Sequence, residues 1–105
     1  GASVAVTTGA FPVAIGFAGQ ILNSSAGTQT NVNCDVDGTL ELGTVGLNID
    51  IPSANNAYNG SFVNQTAALT AASHTFTLQW SVDAGTGTIS CNSTSSCNFW
   101  AHEIR

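Results

Sequence analysis

The sequence predicts an all-β sandwich or barrel. Three observations predict it. The stretch His74–Val82 alternates without a break, with Phe76, Leu78, Trp80 and Val82 on one side and Thr75, Thr77, Gln79 and Ser81 on the other. A sustained period of two is the pattern of a half-buried strand. No segment carries a 3.6-residue apolar period with caps, and β-branched residues and glycine dominate. Turn residues recur about every ten residues, the spacing of short strands in a sandwich or barrel. The 105 residues fit one domain, residues 1–105, with no repeat and no linker.

Strands are expected at Ser3–Thr7, Pro12–Asn23, Thr28–Val36, Thr39–Leu42, Leu47–Ile51, Gly60–Val63, His74–Val82, Thr86–Ser90 and Phe99–Ile104. The opening GASVAVTTG lacks a positive n-region, so it reads as a processed start rather than an intact signal peptide. In Pro12–Asn23, Val13, Ile15, Phe17 and Ile21 share one face, and Ala14, Gly16 and Ala18 the other. A strand apolar on both faces is ordinarily covered on both. In so small a domain the second cover is expected from another subunit, and the small side chains allow its close approach. In Thr28–Val36, Cys34 alternates with Val32 and Val36 and reads as a small buried hydrophobe; an intermolecular bridge or a reactive thiol is the sharper alternative. Asp37-Gly38 turns the chain into Thr39–Leu42. After Leu47–Ile51, Pro52–Asn56 is an irregular loop. Phe76, Leu78 and Trp80 are expected inward as a core wall, and Ala84-Gly85 and Thr86-Gly87 permit a tight turn after them. In the last strand, Phe99 and Ala101 face one way and Trp100 and Ile104 the other, again apolar on both sides. His102 is expected on an inner or interface position. Ala14, Gly16, Ala18, Trp100 and His102 are thus the candidate oligomer interface, and protonation of His102 there would loosen assembly in acid.

Composition excludes several function classes. Only 7% of residues are charged against roughly 25% in ordinary soluble domains. Arg105 is the sole basic residue and the net charge is −5. Without a cationic surface, nucleic acid and anionic membranes are disfavoured partners. No stretch reaches the ~18–20 apolar residues that span a bilayer as a helix. A surface of Ser, Thr, Asn, Gln and Gly suits an extracellular, secreted or virion-surface protein. Cys91 and Cys97 bracket the polar loop NSTSS, so a disulfide is expected in an oxidising compartment, with two unrelated thiols as the alternative. Four sequons place possible glycans at Asn23, Asn59, Asn64 and Asn92; chance occurrence in an Asn/Ser/Thr-rich chain is the competing reading.

"LTAASHTFTLQWSVDAGTGTIS…FWAHEIR" resembles the closing strands of the tumour-necrosis-factor-like jelly roll, the superfamily of complement globular heads and of modules at bacterial and phage fibre tips. The matching residues are Leu69, His74, Thr75, Leu78, Trp80, Gly85, Gly87, Thr88, Glu103 and Ile104, and CDVDG at 34–38 is similar to the mid-chain hairpin. Ser73 stands where that pattern has Gly. The resemblance covers about two thirds of the chain. It implies an antiparallel jelly-roll sandwich and a homotrimer, and no chemistry.

Catalytic and metal signals are sparse. Asp35 and Asp37 share one side of a strand and are the best carboxylate pair, or the start of a calcium loop that no downstream Glu completes; turn chemistry at the strand edge is the favoured reading. His74 and His102 are the only imidazoles, and no G-x-S-x-G elbow accompanies them. The glycines lead into no helix that could hold phosphate. The expectation is therefore a non-enzymatic module without cofactor that assembles with itself and binds a surface receptor. Two alternatives stand beside it. One is a lectin in which Tyr58, flanked by Asn55, Asn56 and Asn59, stacks on a glycan. The other is a fibre subunit that donates Gly1–Phe17 as an exchanged strand.

Overall fold

The computed structural model describes residues 3–43, 46–90 and 97–105. Nine strands follow one another: β1 Ser3–Thr7, β2 Val13–Asn23, β3 Thr28–Val36, β4 Thr39–Leu40, β5 Leu47–Ile51, β6 Tyr58–Gln65, β7 Ser73–Val82, β8 Gly87–Ser90 and β9 Asn98–Glu103. They form two antiparallel sheets packed as a sandwich. Sheet A runs β1-β7-β3, with β4 and β5 both pairing with β3. Sheet B holds β2 between β6 on one side and β8 and β9 on the other.

The core lies between the sheets and comes from the alternation read in the sequence. Val13, Ile15, Phe17 and Ile21 of β2 meet Val32, Cys34 and Val36 of β3 and Phe76 and Leu78 of β7, with Ile51 and Phe62 completing the cluster. Phe17 and Phe62 are opposite in register and their rings stand 5.8 Å apart in a tilted pair. Cys34 is fully buried, and burial first, then the charges of Glu41 and Asp35, push its thiol up to about 12. It is a packed hydrophobe, which removes the intermolecular-bridge alternative.

Each sheet contains an interrupted strand. On the edge of β3, Leu40 is opposite Asp35 and Leu47 opposite Val32, so the ladder lapses at Asn33 and Cys34. The buried Asn33 side chain bridges the gap. Its Nδ2 donates to the Gly43 carbonyl (2.7 Å), and its Oδ1 accepts from the amides of Leu42 (3.1 Å) and Cys34 (2.8 Å). The side chain thus stands in for ladder bonds, which is why the expected strand Thr39–Leu42 stops at Leu40. On the edge of β2, Ser90 is opposite Gln20 and Asn98 opposite Ala18, so the pairing of β8 ends and that of β9 begins on either side of Gly19. The expected Cys91–Cys97 bridge falls between these two pairings in sequence, but Cys91 lies outside the described residues.

Three further expectations change. Trp80 has the inward parity of Phe76 and Leu78, yet it is 37% exposed. It sits where β7 runs out past the covered core, and its Nε1 reaches across to donate to the Gly87 carbonyl of β8 (3.3 Å). β6 is longer than Gly60–Val63 and takes in Tyr58 and Asn59. Within Gly1–Phe17, β1 is paired with β7 and β2 is the central strand of sheet B. A strand exchanged from this run would have to be withdrawn from a formed sheet.

Phe76→Ala is expected to cost ~3–5 kcal/mol, enough to unfold a domain of this size. Trp80→Ala is expected to cost less than half as much, because its surroundings already include water. Urea melts of the two variants side by side check the ranking.

Candidate functional site

The outer face of sheet B is the most distinctive surface. Register aligns Val63 of β6, Gly16 of β2 and Trp100 of β9 in one row across three strands. A Cβ on Gly16 would stand 2.3 Å from the indole carbons of Trp100, so the ring lies across the bare backbone. Glycine is required here because only it leaves room. Val63, beside them, is 75% exposed. The row below carries Gln65, Ala14 and His102, and the row above Ser61, Ala18 and Asn98. Gln20 with Asn59 and Ser90, then Leu22 with Thr88, extend the face. Among the described residues it therefore has an apolar strip, an amide and hydroxyl rim, and no Asp, Glu, Lys or Arg, with His102 its one titratable group.

All five expected interface residues share this face. Two details differ from expectation. Gly16 is buried by the chain's own Trp100 rather than by a second subunit. His102 is exposed and points outward, while Phe99 and Ala101 are the inward residues of β9. The outer face of sheet A contrasts with it. Asp35 of β3 and Asp50 of β5 sit among Gln29, Asn31, Thr75, Thr77, Gln79 and Ser81.

A second constellation joins residues that lie far apart in the chain. Asp37, in the β3–β4 turn with a left-handed φ of 52°, accepts the Thr75 amide on Oδ1 (2.9 Å) and binds His74 Nδ1 through Oδ2 (2.5 Å). The other ring nitrogen, Nε2, contacts the Thr70 carbonyl (2.8 Å), which also accepts from the Thr8 hydroxyl (3.1 Å). A carboxylate and a carbonyl are both acceptors, so the imidazole satisfies them only when both nitrogens carry protons. The Thr70 carbonyl, then Asp37, raise the His74 pKa; the Thr75 amide, then His74, lower that of Asp37. With Nε2 engaged by backbone, His74 has no free nitrogen for a nucleophile. Asp35 does not join the pair: its Oδ1 accepts the Gly38 amide (2.6 Å) and shapes the turn. The expected carboxylate couple is thereby split between a turn and a histidine clasp. Among the described residues, no group of three or more His, Cys, Asp or Glu could hold a metal ion.

The expected glycan-stacking loop does not converge. Tyr58 lies on β6, half-buried against the core and opposite Ile21. Asn59 points to the other face, and Asn55 adopts a left-handed φ of 59° with its amide bound to the Asn23 carbonyl (2.8 Å). Asn56 is exposed beside it. Of the sequons, Asn23 is corrected outright. It is 1% exposed, its Nδ2 donates to the Ala84 carbonyl (3.0 Å) and its Oδ1 accepts the Ser25 amide (2.9 Å), leaving no room for a sugar. Asn64 uses its Nδ2 on the Glu41 carbonyl (3.2 Å). Asn59 is exposed, and Asn92 lies outside the described residues.

Sequence reasoning missed Val63, whose outward parity was readable once β6 extends to Gln65, and the Asp37–His74 clasp, which no local pattern signals. No family model matches the chain, and no curated protein or solved structure matches it either.

Gly16→Ala is expected to destabilise by ~1–3 kcal/mol, and the loss to shrink in a Trp100→Ala background; a double-mutant cycle by urea melts reads this coupling. The clasp sets a pH dependence. The His74 contribution is full below its unfolded value of about 6.5 and is lost as pH rises through the raised folded value. The Asp37 contribution is present above about 3.9 and is lost as pH falls through its lowered value. Melting temperatures should therefore fall on the alkaline side in the native chain, and this limb should flatten in His74→Gln.

Proposed function

We propose that this domain is a non-enzymatic jelly-roll module that assembles with itself, as a trimer, and binds a surface receptor at a fibre, particle or cell surface outside the cell. The observation that carries the reading is the charge-free outer face of sheet B. On a chain of net charge −5, nearly any two surfaces brought together repel. The face bearing Val63, Gly16 and Trp100 meets a copy of itself without burying a carboxylate, whereas self-contact of sheet A would bring Asp35 and Asp50 together. Depletion of charge at an apolar centre with a polar rim is the composition of interface cores. Strand order supports the architecture. With β4 and β5 taken as one interrupted strand and β8 and β9 as another, the described strands follow the order of the last seven strands of an eight-stranded jelly roll.

One observation favours a second reading, a carbohydrate-binding module. Trp100 lies across Gly16 on an open sheet face, with Asn98 and His102 on its own strand, and sugar rings stack on aromatic faces beside amide donors. This moves the expected platform from Tyr58 to Trp100.

Light scattering coupled to size exclusion tests the first reading. The native chain should run as a closed trimer, and Val63→Glu should run as a monomer with its melting little changed, since an exposed position tolerates substitution within about 0.5 kcal/mol. A native monomer sinks the assembly reading. Glycan-array binding that disappears in Trp100→Ala would then establish the second.

A further inference from the structure

Register puts His102 beside the strip that meets a second copy. It lies two residues along β9 from Trp100, opposite Ala14 of β2, with Gln65 of β6 beyond Ala14. Residues two apart on a strand share a face, and His102 is exposed there. A contact centred on Val63, Gly16 and Trp100 therefore takes in the imidazole.

All six acidic residues, Arg105 and both histidines lie among the described residues, so every charged side chain of the sequence can be placed. No acid shares the face of His102. Asp35 and Asp50 belong to sheet A, where Asp83 also accepts the Gln29 amide (2.9 Å). Asp37 is held by His74. Glu41 follows β4 and is near enough to the buried Cys34 for its charge to act on the thiol. Glu103, next to His102 in the chain, is turned to the opposite face. Its Oε1 accepts the Gly9 amide (2.7 Å) and its Oε2 is held by the Arg105 guanidinium (3.2 Å). That guanidinium lies over the Phe11 ring, 5.6 Å from its centre. β1, which also touches β9, has no ionisable side chain.

An imidazole gains its positive charge between about pH 8 and about pH 5. Copies joined through this face bring their His102 rings onto one surface that has no carboxylate to offset the charge. Like charges brought together oppose contact, and burying an unpaired charge opposes it further. The fold itself does not respond over this range. His74 already carries both protons in the folded chain, where it holds Asp37 and the Thr70 carbonyl. Resting on self-assembly through the outer face of sheet B, we propose that His102 is an acid-release switch: neutral rings permit the trimer, and protonated rings separate it into folded protomers. Dissociation takes up as many as three protons per trimer, so the association constant falls by up to about a thousandfold for each unit of pH on the acid side.

The test is light scattering coupled to size exclusion at about pH 8 and about pH 5, on the native chain, His102→Gln and His102→Lys. The native chain should pass from trimer to monomer. His102→Gln should be a trimer at both pH values, and His102→Lys, charged at both, a monomer at both. Near-ultraviolet circular dichroism of the native chain should not change between them, because the protomers stay folded. A native trimer at both pH values overturns the switch and leaves the assembly reading standing. So do a His102→Gln chain that is monomeric at either pH, a His102→Lys chain that assembles, and a near-ultraviolet signal lost with the trimer. A native monomer at about pH 8 overturns both readings.

Discussion

Sheet B hangs on the double pairing of β2. It has β6 along one edge and β8 with β9 along the other, and it sends Val13, Ile15, Phe17 and Ile21 into the core. Between Val13 and Ala18 its remaining positions, Ala14, Gly16 and Ala18, are free of packing duty towards sheet A, and they are small. That smallness permits the contact on which the outer face depends, the Trp100 ring lying across Gly16. A larger residue at position 16 would lift the indole away, and the flat strip from Val63 to Trp100 would break up. A buried central strand and a smooth outer face are thus two consequences of one sequence, large side chains at odd positions and small ones at even positions from Val13 to Ala18.

Buried asparagines do the second structural task. Asn33 closes the interruption of sheet A by substituting side-chain bonds for missing ladder bonds. Asn23 ties the end of β2 to the β7–β8 turn and to its own following loop. Buried amides are tolerated only when satisfied, since an orphaned one costs about 1–3 kcal/mol. Here each amide meets backbone groups that a strand interruption or a turn has left without ladder partners. A chain nearly without charge uses amides and hydroxyls where other domains use ion pairs. The ionic contact of the buried His74 with the exposed Asp37 has the same purpose: it fastens the β3–β4 turn to the start of β7 and to the segment at Thr70.

The two outer faces then divide by charge. Sheet A shows carboxylates among hydroxyls and amides, and stays in water. Sheet B shows an uncharged strip.

Local pattern determined the elements. Alternation located every strand, and the limits of β1, β3 and β5 agree with it to the residue. Asp37-Gly38 set its turn, and Ala14, Gly16, Ala18, Trp100 and His102 were legible as special because strands apolar on both faces are rare in small domains. Only tertiary structure decided which strands are neighbours, and so what each side chain meets. Trp80 carries the core pattern but stands at the rim, because periodicity gives a direction and not the extent of the opposing sheet. Asn23 reads as a glycan acceptor and is a core strut. His74 and Asp37, 37 residues apart, become a clasp. Gly16 meets Trp100 from the far end of the chain. Side-chain direction is fixed by the two-residue period of an extended backbone, which is local. Contact is fixed by register between strands distant in sequence, which only the folded sheets supply.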